Sequence, residues 1–179
     1  MRIISGIHKG RRLQAPKSLP VRPTTDMAKE GLMNILSNRY DFNELRVLDL
    51  FSGTGNISFE FASRGVVSIT AVDGNHKCVG FIDKISRELD LGITTNKIDV
   101  YKFLGQVNEK FDLIFADPPY NFEKEQLQQL HRLVFDNELL DIDGSLILEH
   151  EVQKKLSDLD YFQEERKYGS SVFSFFSNI

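Results

Sequence analysis

The residues best suited to chemistry stand in one run, FDLIFADPPY at positions 111–120. Its apolar part, residues 113–116, is short, continuous and bounded by turn formers, the pattern of a strand buried in a parallel sheet. In open parallel sheets ligands bind beyond the carboxyl ends of the strands, which is where Asp117, Pro118, Pro119 and Tyr120 then fall. Each proline biases the residue before it away from the helical region, so the backbone there is stiff and extended. Neither proline has an N–H to compete, while the Pro118 carbonyl remains an acceptor. With the Asp117 carboxylate it can hold both hydrogens of an exocyclic amine. Tyr120 offers a face on which a planar base can stack, worth roughly 1–3 kcal/mol. Such an amine is a poor nucleophile because its lone pair is delocalised into the ring. Two acceptors that draw its hydrogens out of plane localise that pair. Orientation toward an electrophilic methyl adds proximity, and Asp117 steadies the developing positive charge. Whether Asp117 also takes the proton depends on its pKa, since an unperturbed carboxylate is a weak base.

A second constellation lies upstream. Asp49-Leu50-Phe51-Ser52-Gly53-Thr54-Gly55 sits between a predicted strand at 47–51 and a predicted helix reaching about Arg64. Gly53 and Gly55 let the chain turn sharply and approach a ligand closely. The third glycine of a dinucleotide fingerprint is replaced by Ser58, and no Gly-Lys-Ser/Thr follows, so a P-loop is excluded. Asp73 ends the next predicted strand at a spacing suited to ribose hydroxyls, or else caps the helix that starts near Asn75. Asp99 ends the third strand and either accepts from an adenine amino group or caps a short helix at 100–104. Phe51, Phe59 and Phe61 are all candidates for stacking on a ligand, with core packing the default reading. His8, His76, His131 and His150 are dispersed without ligand spacing, so no metal site is expected. Cys78 reads as a buried helix residue.

These residues need a frame that brings strand ends together. From Arg46 onward strand and helix patterns alternate: strands at 47–51, 66–72, 93–99, 111–116 and 145–149, with helices to Arg64, at about 75–91 and at 124–134. Such alternation specifies a parallel sheet covered by helices on both faces. The polar third strand suits a sheet edge, and residues 161–167 and 171–176 form a final antiparallel pair around Gly169. Two short strands, 2–5 and 11–14, are expected around the turn-prone residues 6–10. Thr24, Thr25 and Asp26 then cap a helix whose apolar face carries Ala28, Leu32, Ile35 and Leu36. The chain divides into a basic arm, 1–25, docked on a domain, 26–179, as one folded unit.

Composition bounds the partners. The 179 residues are 41% hydrophobic and 27% charged, ordinary for one soluble domain, with a net charge of −4. That charge is uneven. Residues 1–25 hold Arg2, Lys9, Arg11, Arg12, Lys17 and Arg22 and no acid, whereas all 26 acids lie beyond them. A basic arm on an acidic body suits a polyanion held at one edge of a site, and Lys9, Arg11, Arg12 and Arg22 are the candidate phosphate contacts. The alternative is a solvated, soluble N-terminus. No apolar run is long enough for a membrane span, no signal peptide is visible, and the single cysteine excludes an internal disulfide. A cytoplasmic protein without a membrane partner is expected.

Taken together, the chain resembles the class I S-adenosylmethionine-dependent methyltransferases, and within them the bacterial RsmD-type 16S rRNA guanine-N2 methyltransferases. The resemblance rests on RIISG with KGRRL at the start, RPTTD at 22–26, LDLFSGTG at 48–55, SRG at 63–65, DPPY at 117–120 and YG at 168–169, in that order. It implies an α/β Rossmann-like fold with a seven-stranded, mostly parallel sheet whose last strand is antiparallel, plus a small N-terminal hairpin and helix extension. It further implies S-adenosylmethionine as methyl donor, with Asp49, Phe51, Ser52, Gly53, Thr54 and Gly55 around its methionine end, Asp73 at the ribose and Asp99 on the adenine side. Asp117, Pro118, Pro119 and Tyr120 would hold the guanine of 16S rRNA, at the site of the guanine-966-N2 type, in a small-subunit particle bound by a monomer. Two departures stand out: Asp73 where that family often has glutamate, and Lys29 where an arginine usually precedes Glu30. Competing readings are a DNA adenine or cytosine amino-methyltransferase, for which 179 residues leave no room for a recognition domain, and a non-catalytic cofactor or RNA-binding module, at odds with the intact DPPY.

Overall fold

Seven strands form one sheet in the order β3-β2-β1-β4-β5-β7-β6 in the computed structural model, which describes residues 1–19 and 24–178. The strands are β1 (Arg46–Leu50), β2 (Ser68–Asp73), β3 (Ile93–Lys97), β4 (Phe111–Ala116), β5 (Leu140–Glu151), β6 (Phe162–Tyr168) and β7 (Ser171–Ser177). The first five run parallel, and β7 is antiparallel to both β5 and β6. Helices α1 (Asp26–Ser37), α2 (Asn56–Ser63), α3 (His76–Glu88), α4 (Val100–Leu104) and α5 (Lys124–Asp136) accompany them. The sheet, the edge position of β3 and the closing antiparallel pair agree with the expected architecture.

Alternation along β4 explains the layering. Leu113 and Phe115 join one apolar cluster with α1, α2 and α3, while Ile114 and Ala116 join a second with α4 and α5. A strand flanked by two cores must be apolar on both faces. Strand order reverses at β1, which pairs with both β2 and β4, so the crevice beyond β1 and β4 is the place where such a sheet binds ligands. Both glycine-loop and DPPY segments emerge there. β5 begins at Leu140, earlier than the expected 145, because Leu140 pairs with Phe111 across an irregularity that absorbs the turn-like residues 141–144.

The arm departs from the expected two strands. Arg2 and Arg12 form a single isolated bridge, although Ile3 N–H still donates to Arg11 O at 3.0 Å and Gly10 N–H to Ile3 O at 2.8 Å. The reason is competition from α2. Ile4 and Ser5 N–H donate to the two Glu60 carboxylate oxygens at 3.0 and 3.1 Å, and His8 N–H to Ser63 Oγ at 3.0 Å. Gly6 sits at φ +83, where an added Cβ would lie 1.8 Å from the Ser63 carbonyl oxygen, so only glycine lets the arm close on the helix end.

α1 starts as expected at Thr25, whose side chain accepts from Ala28 N–H at 3.2 Å. Its buried face carries Ala28, Leu32 and Leu36 but also Lys29, which is 1% exposed. Lys29 Nζ lies 3.2 Å from Glu60 and donates to Arg2 O at 2.6 Å and Asn56 Oδ1 at 2.9 Å. Arg64 Nε reaches the other Glu60 oxygen at 3.0 Å. A buried charge stripped of its partner costs about 3–5 kcal/mol. Glu60→Ala should therefore lower unfolding stability by roughly that amount in urea titration and release the arm to proteolysis. Loss of the exposed Lys84–Glu88 pair should leave the urea midpoint in place.

Candidate active site

A cleft of about 340 Å³ opens beyond the ends of β1, β2 and β4. Of the expected site residues, Asp49, Phe51, Ser52, Gly53, Thr54, Asp73, Asp117, Pro118, Pro119 and Tyr120 line it. Gly55 caps α2 just behind the loop at φ +79, where an added Cβ would meet Ile82 and Phe59 at 2.9 Å. Asp99 does not line the cleft; its carboxylate caps α4 by accepting from Lys102 N–H at 3.0 Å. Lys9, Arg11 and Arg12 are exposed on the arm, and Arg22 lies outside the described residues. The arm borders the cleft through Met1, whose Sδ is 3.8 Å from Thr54 Oγ1.

The loop is shaped by the strand ends it joins. Ser52 N–H donates to Val72 O at 3.0 Å, Gly55 N–H to Ser52 O at 2.8 Å, and Phe51 takes a left-handed φ of +56. Phe59 and Phe61 are core residues, whereas Phe51 lies in the cleft wall with its ring edge-on to Phe122 at 5.4 Å. Asp73 is divided between neighbours: Oδ2 accepts from Gly53 N–H and Oδ1 from Asn75 N–H, both at 2.8 Å. It thus braces the glycine loop and the lead into α3, whose N-cap is Asn75 itself.

Ser58, at the missing third glycine, is wholly buried and donates its hydroxyl to Asp49. Where a glycine would only permit close packing, this serine holds a carboxylate. Burial nevertheless pushes the Asp49 carboxyl up to about 7, with Asp73 adding to the rise. Asp117, half-buried at the end of β4, is raised well above the usual carboxylate range by burial first and then by Glu149 and Asp49. The turn that follows is closed by Phe122 N–H on Pro119 O at 2.9 Å and by Lys154 Nζ on Tyr120 O at 2.6 Å. Pro118 is buried, and Tyr120 presents a ring 42% exposed.

Sequence reasoning missed several cleft residues, notably Thr24, Asn56 and Asn75. Asn56 joins the arm to the loop, accepting from Lys29 and donating through Nδ2 to Thr24 O at 3.1 Å. Its position next to Gly55 is the one signal that could have marked it. Cys78 is buried at the cleft, and burial holds its thiol up at about 11, which makes it a poor nucleophile. Among the described residues, no group of His, Cys, Asp or Glu is arranged to hold a metal ion.

The residues present fit S-adenosylmethionine. Ser52 Oγ is buried in the cleft wall without a hydrogen-bond partner among the described residues, a donor and acceptor suited to a polar ligand. Asp49, Asp73 and Asp117 line the same cleft, and a ligand bearing sulfonium and ammonium charges offsets the burial, and the lesser mutual repulsion, that raise Asp49 and Asp117. Asp49 also sets a pH signature. Its folded pKa of about 7 lies above the unfolded value near 3.9, so the folded state binds the proton more tightly. Its penalty is absent below pH ~4 and grows as pH rises toward 7. Asp49→Asn should therefore be more stable than the parent at pH 8, by roughly 1–3 kcal/mol, with the difference vanishing near pH 4 in denaturant titrations. The same variant should bind S-adenosylmethionine more weakly in calorimetry.

The family described as conserved hypothetical protein 95 matches residues 1–177. Ribosomal RNA small subunit methyltransferase D of Buchnera aphidicola (subspecies Baizongia pistaciae) is 31% identical over 152 residues, covering 84% of this chain and 76% of that protein. The Escherichia coli K12 protein of the same name is 29% identical, covering 87% and 77%. A solved structure of a hypothetical protein from Thermus thermophilus superposes with a TM-score of 0.85 at 26% identity, covering 98% of each chain. The fold is shared with a magnesium protoporphyrin IX methyltransferase from Synechocystis solved with S-adenosylmethionine bound, at a TM-score of 0.68 and 18% identity, covering 83% of this chain and 77% of that one. A cleft at the sheet's reversal, a glycine loop and a DPPY turn inside it, and relatives matched along most of their length make this chain a member of the conserved hypothetical protein 95 family, the RsmD family of methyltransferases.

Proposed function

We propose that this protein methylates ribosomal RNA of the small subunit, transferring the methyl group of S-adenosylmethionine to the exocyclic N2 amine of a guanine, of the guanine-966 type in 16S rRNA. The observation that carries the reading is the meeting of the DPPY turn and the glycine loop in one cleft of about 340 Å³. The cofactor supplies an electrophilic methyl on a sulfonium sulfur. The protein's residues supply the grip on the nucleophile: the Asp117 carboxylate and Pro118 carbonyl accept the two N–H bonds of the amine, and Tyr120 stacks on the base. Asp73 is assigned to the ribose, and Asp99 to the adenine side while it caps α4. A paired base cannot enter such a cleft, so the target is unpaired or flipped out.

In this reading residues 1–25 form the substrate-holding arm and 26–179 the catalytic domain, acting as a monomer in the cytoplasm. The exposed Lys9, Arg11 and Arg12, with Arg22, are assigned to phosphates, which gives affinity without reading sequence. An acidic body with a small basic arm favours a subunit particle, in which protein as well as RNA is available, over naked RNA.

Labelled S-adenosylmethionine offered separately with unmethylated rRNA, small-subunit particles and DNA tests the whole assignment. Label in N2-methylguanine of small-subunit rRNA is expected; label in DNA, or on adenine, would overturn it. Asp117→Ala should abolish transfer while S-adenosylmethionine binding survives, and loss of both together would refute its role. Reversing Arg11 and Arg12 to glutamate should weaken RNA binding and lower the salt dependence by about one unit of slope per lost phosphate contact.

A further inference from the structure

We propose that Glu149 is a positioning residue for this transfer, standing beside Asp117 as the second half of a carboxylate pair and making Asp117 the proton acceptor. The inference rests on the methyl-transfer reading of the cleft. Its basis is the register of β4 and β5. Ala116 pairs with Leu148, so Asp117, the first residue beyond the end of β4, stands next to Glu149 within β5. Both continue the face that carries Phe115 and Ile147. Glu149 is 5% exposed and lines a small pocket together with Asp117 and Pro118.

The two carboxylates have different surroundings. Burial raises the Glu149 carboxyl too, but two hydroxyls, the Ser171 side chain from β7 and Thr24 Oγ1 at 3.0 Å, donate to it and work against that rise. Asp117 meets burial, Glu149 and, from β1, Asp49, all of which favour its protonated form. Asp73 adds its charge behind Asp49. Lys154, which lines the same small pocket, is engaged by Glu151 at 3.1 Å and by Tyr120 O. His150 is turned to Ser174 Oγ at 2.7 Å and to the Glu151 carbonyl. When two carboxylates share a site, one is driven toward the proton, and here the unequal hydroxyl bonding selects Asp117.

The consequence is a balanced transfer. The amine lone pair forms the new N–C bond as the S–C bond breaks, and the positive charge passes from sulfur to nitrogen. The nitrogen then gives one proton to the Asp117 carboxylate, leaving a neutral methylated amine. Asp117, only half-buried, returns that proton to water. A carboxylate with proton affinity lifted toward the working pH is a better base than an isolated one. Thr24 gives the pair a further connection, because the residue that steadies Glu149 also receives the Asn56 bond that links arm and glycine loop.

Glu149→Gln keeps the shape and the acceptor for Thr24 but removes the charge. Titration of the side-chain carboxyls by carbon-13 NMR in the ligand-free protein should show Asp117 moving down by about one pH unit or more. The acid limb of kcat should move down with it, and the plateau should fall about tenfold or more, with S-adenosylmethionine affinity unchanged. An Asp117 titration and an acid limb that stay in place would overturn the proposal. Glu149→Asp restores the charge: recovery of the high Asp117 titration supports the charge as the cause, and behaviour like Gln overturns it. Should Glu149→Gln not fold, an Asp117 in the parent titrating in the ordinary carboxylate range would overturn the pair outright. Failure of the parent to methylate any RNA would refute the proposed function instead, while the NMR titration still decides the pair.

Discussion

The buried carboxylate of Glu60 is the point on which the arm, α1 and α2 all depend. It takes charge from Lys29 and Arg64 and hydrogen bonds from the Ile4 and Ser5 backbone, and it is fully buried. A buried pair of this kind contributes little net free energy compared with an apolar replacement, since desolvation offsets most of the attraction. Its effect is positional. Donors from the arm, from α1 and from the end of α2 converge on Glu60, so each segment must be in place for the charge to be satisfied. The lysine at position 29 meets this demand with a compact ammonium that reaches Arg2 O, Asn56 and Glu60 at once, where a guanidinium would have used a flatter geometry.

From this anchor the constraint passes toward the chemistry. Asn56 binds Lys29 and the carbonyl of Thr24, and the Thr24 hydroxyl binds Glu149. The basic arm, the glycine loop and the strand end that carries Asp117 are therefore tied through a few polar side chains. The cleft itself is electrostatically uncomfortable when it holds protein groups alone. Asp49 is held near 7 and Asp117 is also raised, because burial and mutual repulsion act together. Such crowding lowers stability, and carboxylates perturbed in this way within a cleft are characteristic of functional sites.

Much of this was legible in the residues. The run at 111–116 had to be a two-faced buried strand, and its end had to lie at a ligand crevice. The alternation after Arg46 predicted a parallel sheet with a polar edge at β3 and a closing antiparallel pair, as found. The N-terminal strands were overestimated, because alternation cannot show that Glu60 and Ser63 will take the backbone donors a hairpin would use. The roles of Ser58 and Asn56 were not legible either. Each is an ordinary polar residue until the fold places a carboxylate or an ammonium against it.

By itself the sequence determined the chemistry available at one strand end and one loop, since proline stiffness, glycine freedom and a carboxylate's acceptor capacity are local properties. It also determined the layer architecture, because hydrophobic period is read within single elements. Only the tertiary structure decided which carboxylates stand side by side, which of them carry hydroxyl donors, and which charged residue is buried. Those are matters of strand register and of contacts between segments as far apart as Thr24 and Glu149. Electrostatic energy depends on such distances and on burial rather than on order along the chain.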